Sequence, residues 1–166
     1  KSTRWSAIWW TSLLKKDNNM IRPAETRDIS RLVALSKEMH QEGSYKDIPF
    51  KSEVFVKTVS HCMRNGFAWV GEKDGLVVCG MLATVGEYFF SDAKLTNDLG
   101  LFVSKDYRKS RLALLLLKEY VSWGKSMGVS EITMGSTNGH QGAGLGKFLV
   151  NSLGFEYVGE IYKLRN

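Results

Sequence analysis

The stretch Leu99-Gly100-Leu101-Phe102-Val103-Ser104-Lys105-Asp106-Tyr107-Arg108-Lys109-Ser110-Arg111-Leu112-Ala113 decides the fold. Its apolar beginning predicts a short β-strand, and a polar turn then leads directly into a helical pattern. The first main-chain N–H groups of a helix have no partner within it, and the helix dipole places positive charge at that end. With the basic side chains of the turn, this arrangement predicts a phosphate-binding loop. An ordinary strand–turn–helix with a solvated basic turn is the alternative.

Length and composition indicate one globular domain. The chain has 166 residues, of which 43% are hydrophobic and 24% are charged. That is enough for a single core and ordinary for a soluble protein. Two cysteines and three histidines are too scattered for a metal site, so we expect no metal and two reduced thiols in a cytoplasmic protein. These residues are Cys62, Cys79, His40, His61 and His140.

The net charge of +6 is unevenly distributed. Half of it lies in residues 1–19, and the modest remainder suits an anionic nucleotide-like ligand as well as it suits a nucleic acid. Because the chain has no helix-turn-helix or zinc pattern, we do not expect a nucleic-acid partner.

Residues 1–19 differ from the rest, with three tryptophans in a basic context. Their apolar run is too short to span a bilayer and lacks a small-residue cleavage site. We expect an extension of artificial origin or an unusual leader, followed by one domain over residues 20–166. The alternative is a peptide that docks its tryptophans on a partner or on a membrane surface.

From Met20 onward the pattern predicts a regular order of elements. Helices are expected over residues 25–41, 52–64, 110–127 and 142–153. Strands are expected over residues 21–23, 67–72, 76–84, 99–103, 131–134, 155–158 and 160–164. Lys73-Asp74-Gly75 is typical of a hairpin turn between the second and third strands.

This order resembles that of the GNAT superfamily of N-acetyltransferases, and the resemblance covers residues 20–166. Arg108-x-x-Arg111-x-Ala113 resembles the Arg/Gln-x-x-Gly-x-Gly/Ala loop that grips the pyrophosphate of acetyl-CoA in that family. Leu153-Gly154-Phe155 and the segment from Trp123 to Gly128 resemble the ends of two family helices. The Arg108-x-x-Arg111 variant and residues 136–139 are similar to small acetyltransferases encoded by bacteriophages and bacteria. The cell expected is therefore bacterial or phage-infected.

The resemblance implies an α+β fold of three α/β layers. Helices would flank a mixed, mostly antiparallel twisted sheet with a splay between the central strands. It also implies acetyl-CoA as cosubstrate. The cofactor-binding residues would be Leu101, Phe102, Val103, Arg108, Lys109, Ser110, Arg111, Leu112, Ala113 and Asn138.

The implied reaction is direct attack of a primary amine on the thioester in a ternary complex. A lysine amine has a pKa of about 10.4, so the site needs a proton acceptor. Asp98, at the start of the predicted strand, is the first candidate, and Glu87 is the second. A strand-start cap or an ion pair is the structural alternative for Asp98. Ser136, Tyr157 and Tyr162 are candidate proton donors, although each also suits simple packing.

Two positions depart from the family pattern. Arg111 stands where most members have Gly, so the loop needs a geometry that tolerates a side chain. Val150 stands where many members have a Tyr that acts as general acid. The usual proton donor to the leaving thiolate is therefore missing or supplied elsewhere.

The acceptor side is expected to contain His40, Glu42 and Tyr45 together with the aromatic loop Tyr88-Phe89-Phe90. The expected acceptor is an amine of a small molecule or of a protein, either a lysine or an N-terminus. A homodimer is compatible with the sequence. A non-catalytic GNAT-fold module that binds a protein or nucleic-acid partner is the competing hypothesis.

Overall fold

The computed structural model describes residues 18–137 and 143–166. Its centre is a five-stranded sheet in the order β1-β2-β3-β4-β5. The strands are β1 (Asn19–Pro23), β2 (Phe67–Lys73), β3 (Leu76–Tyr88), β4 (Ser91–Val103) and β5 (Glu131–Ile132). The first four pair antiparallel, and β5 lies parallel to β4.

Four helices cover the two faces of this sheet. Helices α1 (Ile29–Glu42) and α2 (Ser52–Asn65) pack on one face, and α3 (Leu112–Ser126) and α4 (Ala143–Leu153) pack on the other. Successive side chains of a strand point to opposite faces. Phe102 accordingly joins the core under α1 and α2, while Leu101 and Val103 pack under α3 and α4. The predicted three-layer α+β fold is confirmed.

The β3–β4 hairpin is much longer than the sequence predicts. β4 begins at Ser91 rather than at Leu99, and only Phe89 and Phe90 form the turn. Residues 91–98 are largely polar and show no apolar strand pattern of their own. They are nevertheless strand because most of them pair across the hairpin, as Lys94 does with Glu87. Asp98 therefore lies inside a strand, not at its start.

β4 and β5 separate almost as soon as they meet. Their register contains only Leu95↔Glu131 and Thr96↔Ile132, after which residues 97–103 and 133–137 diverge. We call this gap the splay, and it lies where the family resemblance predicts it. Helix α3 comes close to its apex, because a Cβ added at Gly124 would lie 2.7 Å from a side-chain carbon of Ile132.

The last two predicted strands are wrong. Residues 155–158 and 160–164 follow α4 without joining any sheet in the described part of the chain. Their β-branched and aromatic residues favour strands, but that preference needs a pairing edge to act on. Leu164 is 92% exposed. The segment is instead attached by polar contacts, with Lys163 Nζ donating to the Ser44 carbonyl at 2.7 Å and Arg165 pairing with Asp47.

Smaller features of the chain follow from the same description. Helix α3 begins at Leu112, so Ser110 and Arg111 belong to the preceding turn. Cys62 and Cys79 are both unpaired and buried in the core. Among residues 18–137 and 143–166, no helix combines the length and the apolar composition that crossing a bilayer requires.

Candidate active site

A cavity of about 500 Å³ opens where β4 ends and α3 begins, and we call it the loop cavity. Four of the residues predicted to bind the cofactor lie on its walls, namely Leu101, Val103, Arg108 and Ala113. Leu145 and Phe148 of α4 close the opposite side. The structure therefore gathers a strand end, a basic turn and three helices, α1, α3 and α4, around one space.

The beginning of α3 is the polar end of the loop cavity. Arg111 occupies the N-cap position with φ −73°, ordinary right-handed helical backbone, so an arginine fits there without strain. No side chain caps the helix. The Ser110 hydroxyl oxygen is buried and has no hydrogen-bond partner among the residues that the structure describes. Unpaired helix N–H groups beside an unsatisfied hydroxyl suit a phosphate oxygen.

Arg108 points across the mouth of the loop cavity toward α1. Its guanidinium donates to Glu42 Oε2 at 2.6 Å, and Lys105 Nζ lies 2.8 Å from Glu42 Oε1. These two donors, Lys105 first, lower the pKa of the Glu42 carboxyl. The sequence predicts Glu42 on the acceptor side, and the structure places its carboxylate at Lys105 and Arg108, on the wall of the loop cavity. The last turn of α1 projects the Glu42 side chain toward residues 104–111, which connect β4 to α3 and which we call the basic loop.

The remaining predicted cofactor residues differ in what they offer. The Phe102 side chain lies in the opposite core, its ring 5.6 Å from that of Phe55, and its main chain pairs with Gly80 of β3, so Phe102 offers a ligand little. Leu112 is fully buried under the sheet and offers only its main chain. Lys109 is exposed in the turn. Asn138 lies outside the described residues.

Asp98 reaches across the splay. Its Oδ1 accepts a hydrogen bond from the main-chain N–H of Gly135 at 2.8 Å. Burial raises the pKa of the Asp98 carboxyl, and the bond from Gly135 partly opposes this. A carboxylate with a raised pKa beside a gap in the sheet is a candidate proton acceptor, because it binds a proton more readily than an exposed aspartate does.

A closed ring of buried hydrogen bonds fixes the apex of the splay. The Tyr120 hydroxyl donates to the Thr133 carbonyl at 2.6 Å, and the Thr133 N–H donates to Thr96 Oγ1 at 3.1 Å. The Tyr120 and Thr96 hydroxyl oxygens are 2.6 Å apart. Since the Tyr120 proton is already used, the Thr96 hydroxyl donates to Tyr120. Burial raises the pKa of Tyr120 to about 12, so the phenol keeps this proton.

A second cavity, of about 570 Å³, lies on the other side of α4, and we call it the tail cavity. It brings together the three candidate proton donors, Ser136, Tyr157 and Tyr162, with Val150 on the same wall. Tyr157 and Tyr162 both hydrogen-bond the Glu160 carboxylate, which lowers the pKa of Glu160. Ser136 follows Gly135, the partner of Asp98, directly in the chain.

Glu87 is not brought to Asp98. In the register Asp98 pairs with Ala83, and Glu87 pairs with Lys94 further along the hairpin. Ala83, the partner of Asp98, and Glu87 are four residues apart along β3, a distance of about 13 Å. Glu87 is exposed near the tip of the hairpin.

The aromatic residues expected at the acceptor site lie at the tip of the β3–β4 hairpin, and their role toward an acceptor stays a prediction. Tyr88, Phe89 and Phe90 cluster at the hairpin tip, with the Phe89 and Phe90 rings 5.0 Å apart, and Phe89 is 99% exposed. None of the three lines either cavity. His40 packs its ring edge against Phe50 at 5.4 Å. Of the residues predicted for that side, Tyr45 lines the tail cavity.

Sequence reasoning missed the ring of Thr96, Tyr120 and Thr133 and the contact of Glu42 with the loop. No sequence pattern indicates either feature, because each joins residues that are far apart in the chain. For metals, the part of the chain that the structure describes holds no cluster of His, Cys, Asp and Glu side chains that could bind an ion.

Comparison with solved structures identifies the fold. A GCN5-related N-acetyltransferase from Ralstonia eutropha JMP134 matches with a TM-score of 0.69 and 18% identity, over 89% of this chain and 98% of that one. Aminoglycoside N-acetyltransferase AAC(6')-Iy in complex with CoA matches with 0.66 and 16%, over 89% and 94%. A transcriptional regulator from Bacillus halodurans C-125 matches with 0.68 and 17%, over 89% and 99%.

These matches confirm the resemblance at the level of the fold, which is that of the GCN5-related N-acetyltransferases. No protein-family model and no curated protein matches the sequence. What the chain does must therefore be argued from its own site.

Proposed function

We propose that this protein transfers an acetyl group from acetyl-CoA to a primary amine. The observation that carries the proposal is the position of the loop cavity. It joins an uncapped helix N-terminus, the basic turn and the open edge of β4 within one space. The similar fold of an acetyltransferase in complex with CoA supports the same assignment.

Acetyl-CoA fits this space in parts. Its pyrophosphate would lie against Arg108, Lys109, the Ser110 hydroxyl and the main-chain N–H groups of residues 111–113, where phosphate finds both charge and hydrogen-bond donors. Its pantetheine amides would pair with the main chain of Leu101 and Val103, since none of the described strands pairs with that edge of β4 beyond Thr96. The apolar walls formed by Leu101 and Val103 suit its methylene groups.

The proposed reaction is an acyl transfer from a thioester to an amine. The amine nitrogen forms a bond to the thioester carbonyl carbon, the carbon–sulfur bond breaks, and CoA leaves as a thiol. Asp98 is assigned to take the proton that the amine loses, directly or through water. The main-chain N–H of Val103 is assigned to the oxyanion that develops on the carbonyl, because the neighbouring Phe102 N–H is turned toward β3. We assign the proton donor to the thiolate to Ser136, in the absence of a tyrosine at Val150.

The acceptor is an amine of a small molecule or of a protein. Among the similar structures, one from an uncultured soil metagenomic sample is an aminoglycoside acetyltransferase in complex with sisomicin, a small amine ligand. A non-catalytic module that uses the same fold is the second candidate. It is favoured by Val150, an exposed aliphatic side chain at the place of the usual acid.

Calorimetry with acetyl-CoA tests the proposal. Wild type should bind, and Arg108→Glu should weaken binding at least about tenfold, since reversing the charge both removes a donor and repels phosphate. Lys118→Glu is the matched control, because Lys118 is an exposed cation on α3 outside the loop cavity. Equal losses in both variants, or no binding by wild type, would reject the assignment of the loop.

A further inference from the structure

Glu42 is the last residue of α1, and its carboxylate bridges two cations of the basic loop. Oε2 lies 2.6 Å from Arg108 Nη2 and Oε1 lies 2.8 Å from Lys105 Nζ. The Glu42 side chain is only 26% exposed. One turn earlier, Glu38 accepts a hydrogen bond from the Lys105 main-chain N–H at 2.8 Å. The end of α1 is therefore attached to the loop by charge.

The ion pair with Glu42 occupies the Arg108 guanidinium, which the proposed function assigns to the pyrophosphate of acetyl-CoA. Arg108 and Glu42 both lie on the wall of the loop cavity. A pyrophosphate placed there meets a guanidinium that is already neutralised, and it meets the carboxylate that neutralises it. Two anions at one cation repel each other, most strongly where water is partly excluded. The phosphate must therefore displace Glu42 or accept its repulsion.

We propose that Glu42 is an internal competitor for the phosphates of acetyl-CoA, and that cofactor binding exchanges its carboxylate for phosphate on Arg108. The inference rests on the proposed function and adds a residue that sets cofactor affinity. Glu42 then lowers the affinity for acetyl-CoA. A residue that simply positions Arg108 for phosphate would have the opposite effect on affinity.

Calorimetric titration with acetyl-CoA separates these two roles. Glu42→Gln should tighten binding about five- to tenfold, because it keeps the shape of the side chain and removes the competing charge. Glu42→Ala, measured in parallel, should also bind more tightly than wild type. Weaker or unchanged binding in both variants would overturn the inference.

Two further variants show whether the effect is local. Asp106→Asn removes the same charge from an exposed residue of the loop that forms no ion pair among the described residues. Asp106→Asn should change the affinity for acetyl-CoA less than twofold. A gain equal to that of Glu42→Gln would show that loss of any negative charge near the loop is enough, and would overturn the inference. In an Arg108→Gln background the gain from Glu42→Gln should shrink markedly, and a full gain there would contradict the exchange.

The same titration distinguishes failure of the inference from failure of the function. If wild type and every variant bind no acetyl-CoA, that result rejects the proposed function and with it the inference about Glu42. If wild type binds and the Glu42 variants do not bind more tightly, the inference alone is overturned.

Discussion

Asp98 and Gly135 are joined by a 2.8 Å hydrogen bond across two segments that no longer pair as strands. The last β4–β5 pair is Thr96↔Ile132, so the contact lies just beyond the point where the sheet opens. The Gly135 N–H fixes the Oδ1 atom of the Asp98 carboxylate. This contact places the proposed proton acceptor at the splay, next to the open edge of β4.

Asp98→Asn should slow acetyl transfer while leaving acetyl-CoA affinity nearly unchanged. A general base contributes about 10²–10⁴-fold, so the loss in kcat should fall in that range. The loss should be greatest where Asp98 is ionised and the amine is still mostly protonated. It should shrink in acid, where Asp98 itself is protonated, and at high pH, where the amine loses its proton without help. The pH profile of kcat with a primary amine measures both effects.

Glu87→Gln is the paired control for that profile. Because Glu87 is exposed near the hairpin tip, its substitution should leave kcat close to that of wild type. A slow Glu87→Gln with a normal Asp98→Asn would move the base to the end of β3. Normal rates in both would indicate an enzyme that takes the neutral amine from solution and acts by positioning.

Asp98→Asn, which should slow the reaction, should by contrast make the folded protein more stable. Burial raises the pKa of Asp98 in the folded protein, whereas an unfolded aspartate titrates near about 3.9. As pH rises through this interval the unfolded chain releases its proton first, so the group lowers the free energy of unfolding at neutral pH. Asp98→Asn should therefore raise Tm at pH 7, and the gain should shrink toward pH 4. A Tm loss at pH 7 that persists in acid would contradict this.

Tyr120→Phe should destabilise the fold by breaking the ring at the apex of the splay. The change leaves the Thr133 carbonyl and the Thr96 hydroxyl without their buried partner, at a cost of about 1–3 kcal/mol. Urea unfolding measures the loss. Tyr45→Phe is the control, since Tyr45 is an exposed residue whose hydroxyl forms no hydrogen bond within the described ranges. Similar small losses in the two variants would mean that the ring contributes little.

The sequence predicted the helices and most of the sheet because their apolar residues recur at helical or strand spacing. It failed where pairing, not composition, decides structure. Residues 91–97 are polar and become strand through the partner that β3 offers. Residues 155–164 are rich in strand-forming side chains and stay outside the sheet, since no described strand edge pairs with them.

For the candidate site, the spacing from Leu101 to Ala113 was informative because loop and helix are adjacent in the chain. The side of the molecule that Glu42 faces was not predictable, since it depends on how the last turn of α1 packs beside the basic loop. The contact between Asp98 and Gly135 depends on the splay in the same way. Whether Asp98, Ser136 and the loop residues act as assigned remains a prediction.

Product analysis with a panel of primary amines shows whether the protein transfers an acetyl group from acetyl-CoA. The wild-type protein is incubated with acetyl-CoA and small amines, lysine-containing peptides or peptides with a free N-terminus, and products are followed by mass spectrometry together with thiol release. The account predicts at least one amine that gains one acetyl group, with one CoA thiol released per product and a strong loss in Arg108→Glu. Saturable binding of acetyl-CoA with no acetylated amine anywhere in the panel would contradict it and favour a binding module.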